Sequence, residues 1–162
     1  MKFKVGFVLL CVAMLCVFSA AEAAAPIRVG QIASLTGDHA AYGQAERDAV
    51  EIAVGEINSA GGILGRPIEL IVYDNRSRQE DMVNATRRLI DNDKVCAIIG
   101  PASSGMHIAV ASIIDRGRIP QIGTLPTNPL VTVDENGKTR PYNFRICFLD
   151  PYQGRADCLH NG

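Results

Sequence analysis

The sequence predicts an α/β fold, built on a mostly parallel sheet with helices on both faces. Segments with apolar residues at helical spacing alternate with short apolar runs typical of strands, and turn-forming residues separate them. The unbroken apolar run Val95–Ile99 is typical of a central parallel strand buried on both faces. Strands that alternate with helices of this length form βαβ units with right-handed crossovers. The loops after the strands are therefore expected at one edge of the sheet, where ligands of such folds bind.

Five extended segments are predicted as strands. Each is a short run rich in apolar residues, and the second leads directly into an acidic residue, Asp74. Their order along the chain, with helical segments after the first three, is that of successive βαβ units. The predicted strands are Ile27–Ile32, Ile68–Tyr73, Val95–Ile99, Ile119–Ile122 and Tyr142–Phe148.

The first predicted helix runs from about Tyr42 to Asn58. Small and apolar residues recur there at helical spacing, with charged residues between them. Gly61 or Gly62 is expected to adopt the left-handed conformation that closes such a helix. The residues of this apolar stripe are Ala45, Ala49, Ile52, Ala53 and Ile57.

Two further helices are predicted after the second and third strands. Ser77 and Glu80 have the spacing of a capping box, which predicts the start of the second helix. Ser103 or Ser104 can cap the third helix, which extends through Asp115. The apolar face of the second helix comprises Met82, Ala85, Leu89 and Ile90, and that of the third comprises Ile108, Ala111 or Ser112, and Ile114.

The N-terminal residues have the composition of an export signal. Lys2 and Lys4 precede the apolar run Val5–Phe18, and Ala21–Ala23 offers an A-x-A cleavage site. The alternative is an uncleaved membrane anchor, but the run is shorter than the roughly 20 residues of a membrane-spanning helix. We therefore expect export to the periplasm with cleavage near Ala23, which leaves a chain of roughly 139 residues, enough for one domain.

The composition excludes several classes of function. The chain has 16 basic and 17 acidic residues and a net charge of −1, without a basic stripe that would indicate nucleic-acid binding. It contains no C-x-x-C, no HExxH and no nucleotide-binding glycine fingerprint, so neither a metal nor a cofactor is expected. Beyond the signal segment it keeps Cys96, Cys147 and Cys158; this odd number implies that at least one thiol stays free or pairs between molecules.

Two loops after predicted strands have the composition of a binding site. The segment Pro101–Gly105 combines small residues and hydroxyl groups with a helix N-terminus, which suits a carboxylate, although plain N-capping would explain one serine. The segment Thr124–Thr127 offers hydroxyls and carbonyls suited to an ammonium group, although it could be merely a turn. Tyr42 could stack over a ligand or pack on the first loop.

A serine hydrolase is a competing hypothesis for the strand–serine–helix arrangement. The segment lacks the G-x-S-x-G spacing of a nucleophile elbow. His107 would share a helix with Ser104 and has no acidic partner in view, so we expect a surface or partly buried histidine there. No catalytic residue is predicted.

Read in order, four segments resemble the branched-chain amino-acid binding proteins of ABC transporters, which have the type I periplasmic-binding-protein fold. They are LTGDHAAYG followed by EINSAGGILGRPIELIVYDN, then IIGPASSG, then IPQIGTLPTNP. The resemblance covers roughly Ile27–Gly154. It implies a protein that binds a small amino acid between two α/β lobes and delivers it to a membrane permease, without performing chemistry.

The resemblance also implies site residues. Ser104 matches the serine that holds the ligand carboxylate, and Thr127 matches the threonine that contacts the ammonium and carboxylate groups. Leu125 supplies a backbone carbonyl, Tyr42 is the aromatic residue near the cleft mouth, and Ala102 lines the pocket. With their neighbours, the predicted ligand-binding residues are Tyr42, Ala102, Ser103, Ser104, Leu125, Pro126 and Thr127.

The chain departs from the family pattern in two ways. Ser77 and Ser103 stand where some members carry a disulfide between two loops, so this brace is absent. Full-length members are more than twice as long, and the resemblance ends after Gly154. We therefore expect residues 1–23 to be the signal peptide, 24–149 the first lobe, and 150–162 the hinge with a truncated start of the second lobe.

The leading hypothesis is thus a periplasmic binding component of an amino-acid transporter, present as most of its first lobe and expected to be a monomer. One alternative is the input domain of a membrane-anchored receptor with the same fold, which requires the N-terminal segment to remain uncleaved. Another is a nonfunctional gene fragment.

Overall fold

A computed structural model describes residues 25–160 of the chain, with side chains through residue 155. The predicted signal peptide lies outside the described residues. The elements, in chain order, are β1 (Ile27–Ala33), α1 (Ala40–Ser59), β2 (Ile68–Asp74), α2 (Gln79–Asp91), β3 (Ala97–Ile99), α3 (Ser104–Gly117), β4 (Gln121–Gly123), a 3-10 turn (Pro129–Val131), β5 (Asn143–Arg145) and α4 (Asp150–His160).

The five strands form one sheet in the order β2-β1-β3-β4-β5. Every neighbouring pair is parallel, with Ile27 opposite Ile68 and Gln121 opposite Asn143. This arrangement confirms the predicted α/β fold with a parallel sheet. It also brings the carboxyl ends of all five strands to one edge of the sheet.

Strands β3 and β5 are shorter than the apolar runs that predicted them. Val95 was predicted to open the third strand, but it lies in the turn before that strand, where its N–H donates to the Leu89 carbonyl at 3.2 Å. Its side chain is 3% exposed and belongs to the core. The run is apolar because the turn is buried, so hydrophobicity alone overestimated the length of the strand.

The hydrophobic core lies between the sheet and the pair of helices α2 and α3. Gly30 on β1 provides room for α2, because a Cβ there would lie 2.6 Å from Leu89 Cδ1. The predicted face of α2 is confirmed, with Ile90 only partly buried against the core. On α3, Ala111 and Ile114 are buried and Ser112 is exposed, which resolves the alternative left by the sequence. The cluster comprises Ile32, Met82, Ala85, Leu89, Val95, Ile98, Met106, Val110 and Ile114.

Helix α1 lies on the opposite face of the sheet and covers only part of it. Its only buried residues are Gly43 and Glu46, whereas Ile52 of the predicted apolar stripe is 64% exposed. An open groove of about 910 Å³ runs between this helix and the sheet, lined by Val29, Ile68, Ile99, Ile122 and Ile146 among others. Four residues of the predicted stripe, Ala45, Ala49, Ala53 and Ile57, line this groove, whereas Ile52 does not. Within the described residues, most of the stripe therefore faces a groove rather than a closed core.

The ends of the helices differ in part from the predictions. Gly61 and Gly62 both have positive φ, at 100° and 75°, as predicted for the segment that closes α1. The capping box is wrong, because the N-cap of α2 is Arg78 and no side chain caps it. Ser77 instead donates its hydroxyl to the Thr36 carbonyl at 2.9 Å and accepts the His39 N–H at 3.1 Å, so it anchors the loop after β1.

In the described part of the chain, no helix combines the length and the hydrophobicity that crossing a membrane requires. The same residues contain no group of three or more His, Cys, Asp or Glu side chains that could hold a metal ion.

Candidate functional site

A small cleft of about 260 Å³ lies at the carboxyl edge of the sheet, between the loops that follow β1, β3 and β4. Four of the seven predicted ligand-binding residues line it: Tyr42, Ala102, Ser103 and Leu125. The other three, Ser104, Pro126 and Thr127, belong to the same loops but do not line this cleft. The remaining lining residues, Ser34, His39 and Gly43, are not among the ligand-binding residues predicted from the sequence.

The wall formed by β1 and α1 depends on Gly43. A Cβ at this position would lie 2.1 Å from the Ser34 carbonyl oxygen, so only glycine allows α1 to pack directly against the end of β1. This contact places the preceding residue, Tyr42, at the mouth of the cleft, where its side chain is 62% exposed. A glycine inside the predicted helix, where glycine is otherwise unfavourable, was the available signal for the close approach.

Asp74 at the end of β2 holds the first loop in place. Its carboxylate accepts the Leu35 N–H at 2.9 Å, the Thr36 hydroxyl at 2.7 Å and the Arg76 N–H at 2.7 Å. Burial alone would raise the pKa of Asp74, but these hydrogen bonds outweigh it and lower the pKa below its ordinary value. The charged carboxylate therefore supports the loop that carries one wall of the cleft.

The loop between β3 and α3 presents the start of a helix to the cleft. Ser103 is the N-cap residue of α3, yet its side chain makes no capping hydrogen bond, so N-capping does not account for its hydroxyl. The first N–H groups of a helix have no partner within the helix and carry partial positive charge. Ser104 accepts the Asn128 N–H at 3.3 Å, which links this loop to the one after β4. The arrangement suits a small carboxylate.

The loop after β4 is organised by Arg145, which the sequence analysis did not select. Its guanidinium donates to the carbonyls of Pro126 at 3.2 Å and Asn128 at 2.8 Å, and to the Thr132 hydroxyl at 2.7 Å. The Thr127 carbonyl accepts the Asp150 N–H at 3.2 Å. The loop is thus a fixed structure rather than a simple turn, although three of its carbonyls, those of Pro126, Thr127 and Asn128, are already engaged.

His107 is buried, which corrects the expectation of a surface or partly buried histidine. Its side chain is 0% exposed and packs beneath Gly123, where a Cβ would lie 2.8 Å from Nδ1. Burial lowers the pKa of His107 to about 4; nearby Asn143 opposes this shift, but neither ring nitrogen reaches hydrogen-bonding geometry with a described residue. The ring is neutral at pH 7 and makes no hydrogen bond to Ser104, so it does not form a nucleophile–base pair.

The cysteines do not form a disulfide within the described side chains. Cys96 is exposed and directly precedes β3, and Cys147 is partly buried after β5; both are free thiols. The side chain of Cys158 lies outside the described part.

Comparison with known proteins gives consistent matches. A family model described as "Periplasmic binding protein" matches residues 26–156. The Leu/Ile/Val-binding protein BraC3 of Rhizobium johnstonii is 34% identical over 132 residues, which cover 82% of this chain and 35% of that protein. An amino acid binding protein of Pseudomonas aeruginosa is 33% identical over 133 residues, covering 82% of this chain and 34% of its own length.

Solved structures agree with these relatives. The leucine binding protein LivK of Thermotoga maritima superimposes with a TM-score of 0.74 at 34% identity, over 82% of this chain and 36% of its own. The branched-chain amino acid transporter substrate binding protein LivJ of Streptococcus pneumoniae, in complex with isoleucine, gives 0.72 at 35% identity, over 77% and 34%. The chain spans about a third of the length of the relatives that it matches.

Proposed function

The chain belongs to the type I periplasmic-binding-protein family as a homologue of Leu/Ile/Val-binding proteins, and from this membership we propose that it contributes one lobe of a substrate-binding protein. The family comprises binding proteins rather than enzymes. The proposed ligand is a small amino acid of the branched-chain type, held for delivery to an ABC permease of the inner membrane. Residues 1–23 are proposed to direct export to the periplasm, residues 24–149 to form the first lobe, and residues 150–162 to begin the second.

The cleft at the carboxyl edge of the sheet is the observation that carries this proposal. It places an uncommitted helix N-terminus, with Ser103 at its N-cap, opposite the exposed side chains of Tyr42 and Leu125. Backbone N–H groups at a helix start favour a carboxylate, and the two exposed side chains offer apolar contacts to an aliphatic side chain. Ser104 and Thr127 belong to the same loops, and their hydroxyls are proposed as further ligand contacts.

The experiment is titration calorimetry of the full chain with isoleucine, leucine and valine. Substitution Ser103→Ala should weaken isoleucine binding about tenfold, since a hydrogen bond to a charged group contributes about 1.5–3 kcal/mol and water replaces part of it. Ser112→Ala is the matched control, because Ser112 is an exposed serine on the same helix α3. The control should bind as the wild type does.

Two results would contradict the proposal. One is the absence of both heat and a thermal shift when the wild-type chain is mixed with each of the three amino acids at millimolar concentration. The other is equal weakening of isoleucine binding by Ser103→Ala and Ser112→Ala, which would mean that the affinity does not depend on the N-terminus of α3.

A further inference from the structure

Glu46 carries a buried carboxyl group and is not one of the ligand-contact residues proposed above. Its side chain is on α1, one helical turn beyond Tyr42, and the residue is only 7% exposed. A buried carboxylate needs a cation or several hydrogen bonds to offset its lost hydration. None of the ion pairs among the described side chains includes Glu46. Its placement therefore requires another explanation.

The carboxyl group of Glu46 contacts both loops that carry the proposed ligand residues. Its Oε1 accepts the hydroxyl of Thr124, 78 positions further along the chain, at 2.7 Å. The backbone N–H of Ala102 faces the same carboxyl group and lowers its pKa, without reaching the geometry of a regular hydrogen bond. Thr124 begins the loop after β4, and Ala102 lies in the loop after β3. One side chain from α1 thus lies between the two loops.

The backbone is shaped to admit this group. Gly100, at the end of β3, has φ of 89°, and a Cβ there would lie 3.0 Å from Glu46 Oε1 and 2.4 Å from the Ile32 carbonyl oxygen. Any other residue would displace the carboxyl group or the end of β1. The second oxygen, Oε2, is buried and has no partner among the described residues. An unpartnered buried acceptor is costly, which argues against a group retained for stability alone.

We propose that Glu46 is a positioning residue, which sets the separation between the loops 101–104 and 124–128 and so shapes the cleft beside Tyr42. This inference rests on the proposed function, because those loops are the proposed ligand site. Glu46 does not line the cleft and acts only through Thr124 and Ala102. A purely structural tie would stabilise the whole lobe evenly, whereas a positioning residue controls the order of these two loops.

Hydrogen–deuterium exchange of the ligand-free full chain tests the proposal without requiring binding. Substitution Glu46→Met keeps the volume and removes the acceptor, and Thr124→Val removes the donor. Each should speed the exchange of amides in the two loops about tenfold, the factor expected from a lost hydrogen bond to a charged group. Glu46→Gln keeps an acceptor oxygen and should largely restore the protection. Glu56→Gln, an exposed glutamate on the same helix, is the control and should change nothing.

The double variant Glu46→Met/Thr124→Val should exchange no faster than either single variant, since both remove the same contact. Unchanged exchange in the loops, or an increase spread evenly over the sheet, would overturn the proposal, as would additive effects in the double variant. If Glu46→Met does not fold, Thr124→Val and Glu46→Gln still decide the result.

Isoleucine calorimetry on the same variants separates this proposal from the proposed function. If the wild type binds, Glu46→Met should weaken binding by about the same tenfold factor as it speeds exchange, and Glu46→Gln should recover most of it. Full affinity in Glu46→Met would overturn the positioning role. If the wild type does not bind, the proposed function fails, and loop exchange alone decides the role of Glu46.

Discussion

Both faces of the sheet carry apolar side chains, but the two faces are covered very differently. On one face, α2 and α3 enclose Ile32, Ile98 and Val110, each 0% exposed. On the other face α1 stands alone, and Ile57 and Ile146, which line the groove, are 38% and 75% exposed. We call them the closed face and the open face. The closed face contains the continuous core of the described chain, and the open face contains the apolar groove.

This difference shows that an apolar stripe indicates which side of a helix can be buried, but not whether anything covers it. The stripes of α1 and α2 are read from the sequence by the same periodicity. In α2 the stripe packs against β1 and α3, whereas in α1 it borders the groove. Contiguous apolar surface of this kind is typical of interaction sites and of aggregation-prone states.

The largest expected effect comes from matched isoleucine-to-alanine substitutions on the two faces. Ile114→Ala on α3 should lower the free energy of unfolding by about 2–5 kcal/mol, because it leaves a cavity in the closed core. Ile146→Ala, beside the groove, should change it by at most about 0.5 kcal/mol, since its side chain is already 75% exposed. Urea unfolding measures both. Equal costs for the two variants would mean that the open face is covered in solution.

The two faces should also respond oppositely to pH through their buried titratable groups. His107, with its pKa lowered to about 4 by burial, takes up a proton in the unfolded chain near pH 6.5 but not in the folded one. Its contribution to stability is therefore lost as the pH falls from about 6.5 to 4, by an amount of the order of 3 kcal/mol. The neutral side chain of Asn143 also acts on the ring and opposes the shift. The charged groups that act on it are Arg140 and Arg145, which both disfavour protonation of the imidazole.

Glu46 should act in the other direction. Burial raises its pKa in the folded chain, against the opposing hydrogen bond from Thr124, so the folded state binds a proton more readily than the unfolded state. Its contribution to stability therefore increases as the pH falls through the folded-state pKa. Urea unfolding across pH 4–7 should show a shallower acid loss in His107→Met and a steeper one in Glu46→Gln. Identical slopes in wild type and both variants would contradict this interpretation.

The smallest expected effect concerns dye binding. A fluorescent apolar dye should bind the wild-type chain at the open face, because clustered exposed apolar groups are what such probes detect. Ile146→Gln, at a position that lines the groove and is 75% exposed, should reduce the fluorescence with little change in stability. Glu51→Gln, an exposed position on α1 that does not line the groove, is the control and should leave the signal unchanged. If Ile146→Gln also left it unchanged, the groove would not be the site that binds the dye.

Much of the fold could be predicted because its signals are local. Gly61 and Gly62 have positive φ as expected, and the parallel orientation of the first four strands follows from their alternation with helices. The capping box at Ser77 failed because the hydroxyl binds Thr36 and His39, residues about 40 positions away. Local spacing carries no information about that competing contact.

The residues of the candidate site could be predicted where a single loop after a strand places them. They could not be predicted where a contact between separate helices and strands places them. Ala102 and Ser103 follow a strand directly, so their place at the sheet edge could be read from the chain. Ser34 and Gly43 line the cleft through a backbone contact between β1 and α1, and Arg145 reaches its loop from β5. The contacts of these residues depend on how separate elements pack together, which the spacing of residues along the sequence does not reveal.

The amino-acid pattern alone was enough for the fold class, the first three helices and the family resemblance, because periodicity and turn chemistry act within a few residues. The burial of His107 and Glu46, and the open groove beside α1, emerged only when the elements were assembled. Whether a side chain is buried depends on the surface that packs against it, and that surface is formed by residues distant in the sequence. Similar stripes of apolar residues are therefore buried in the core on one face of this sheet, in α2, and left largely uncovered on the other, in α1.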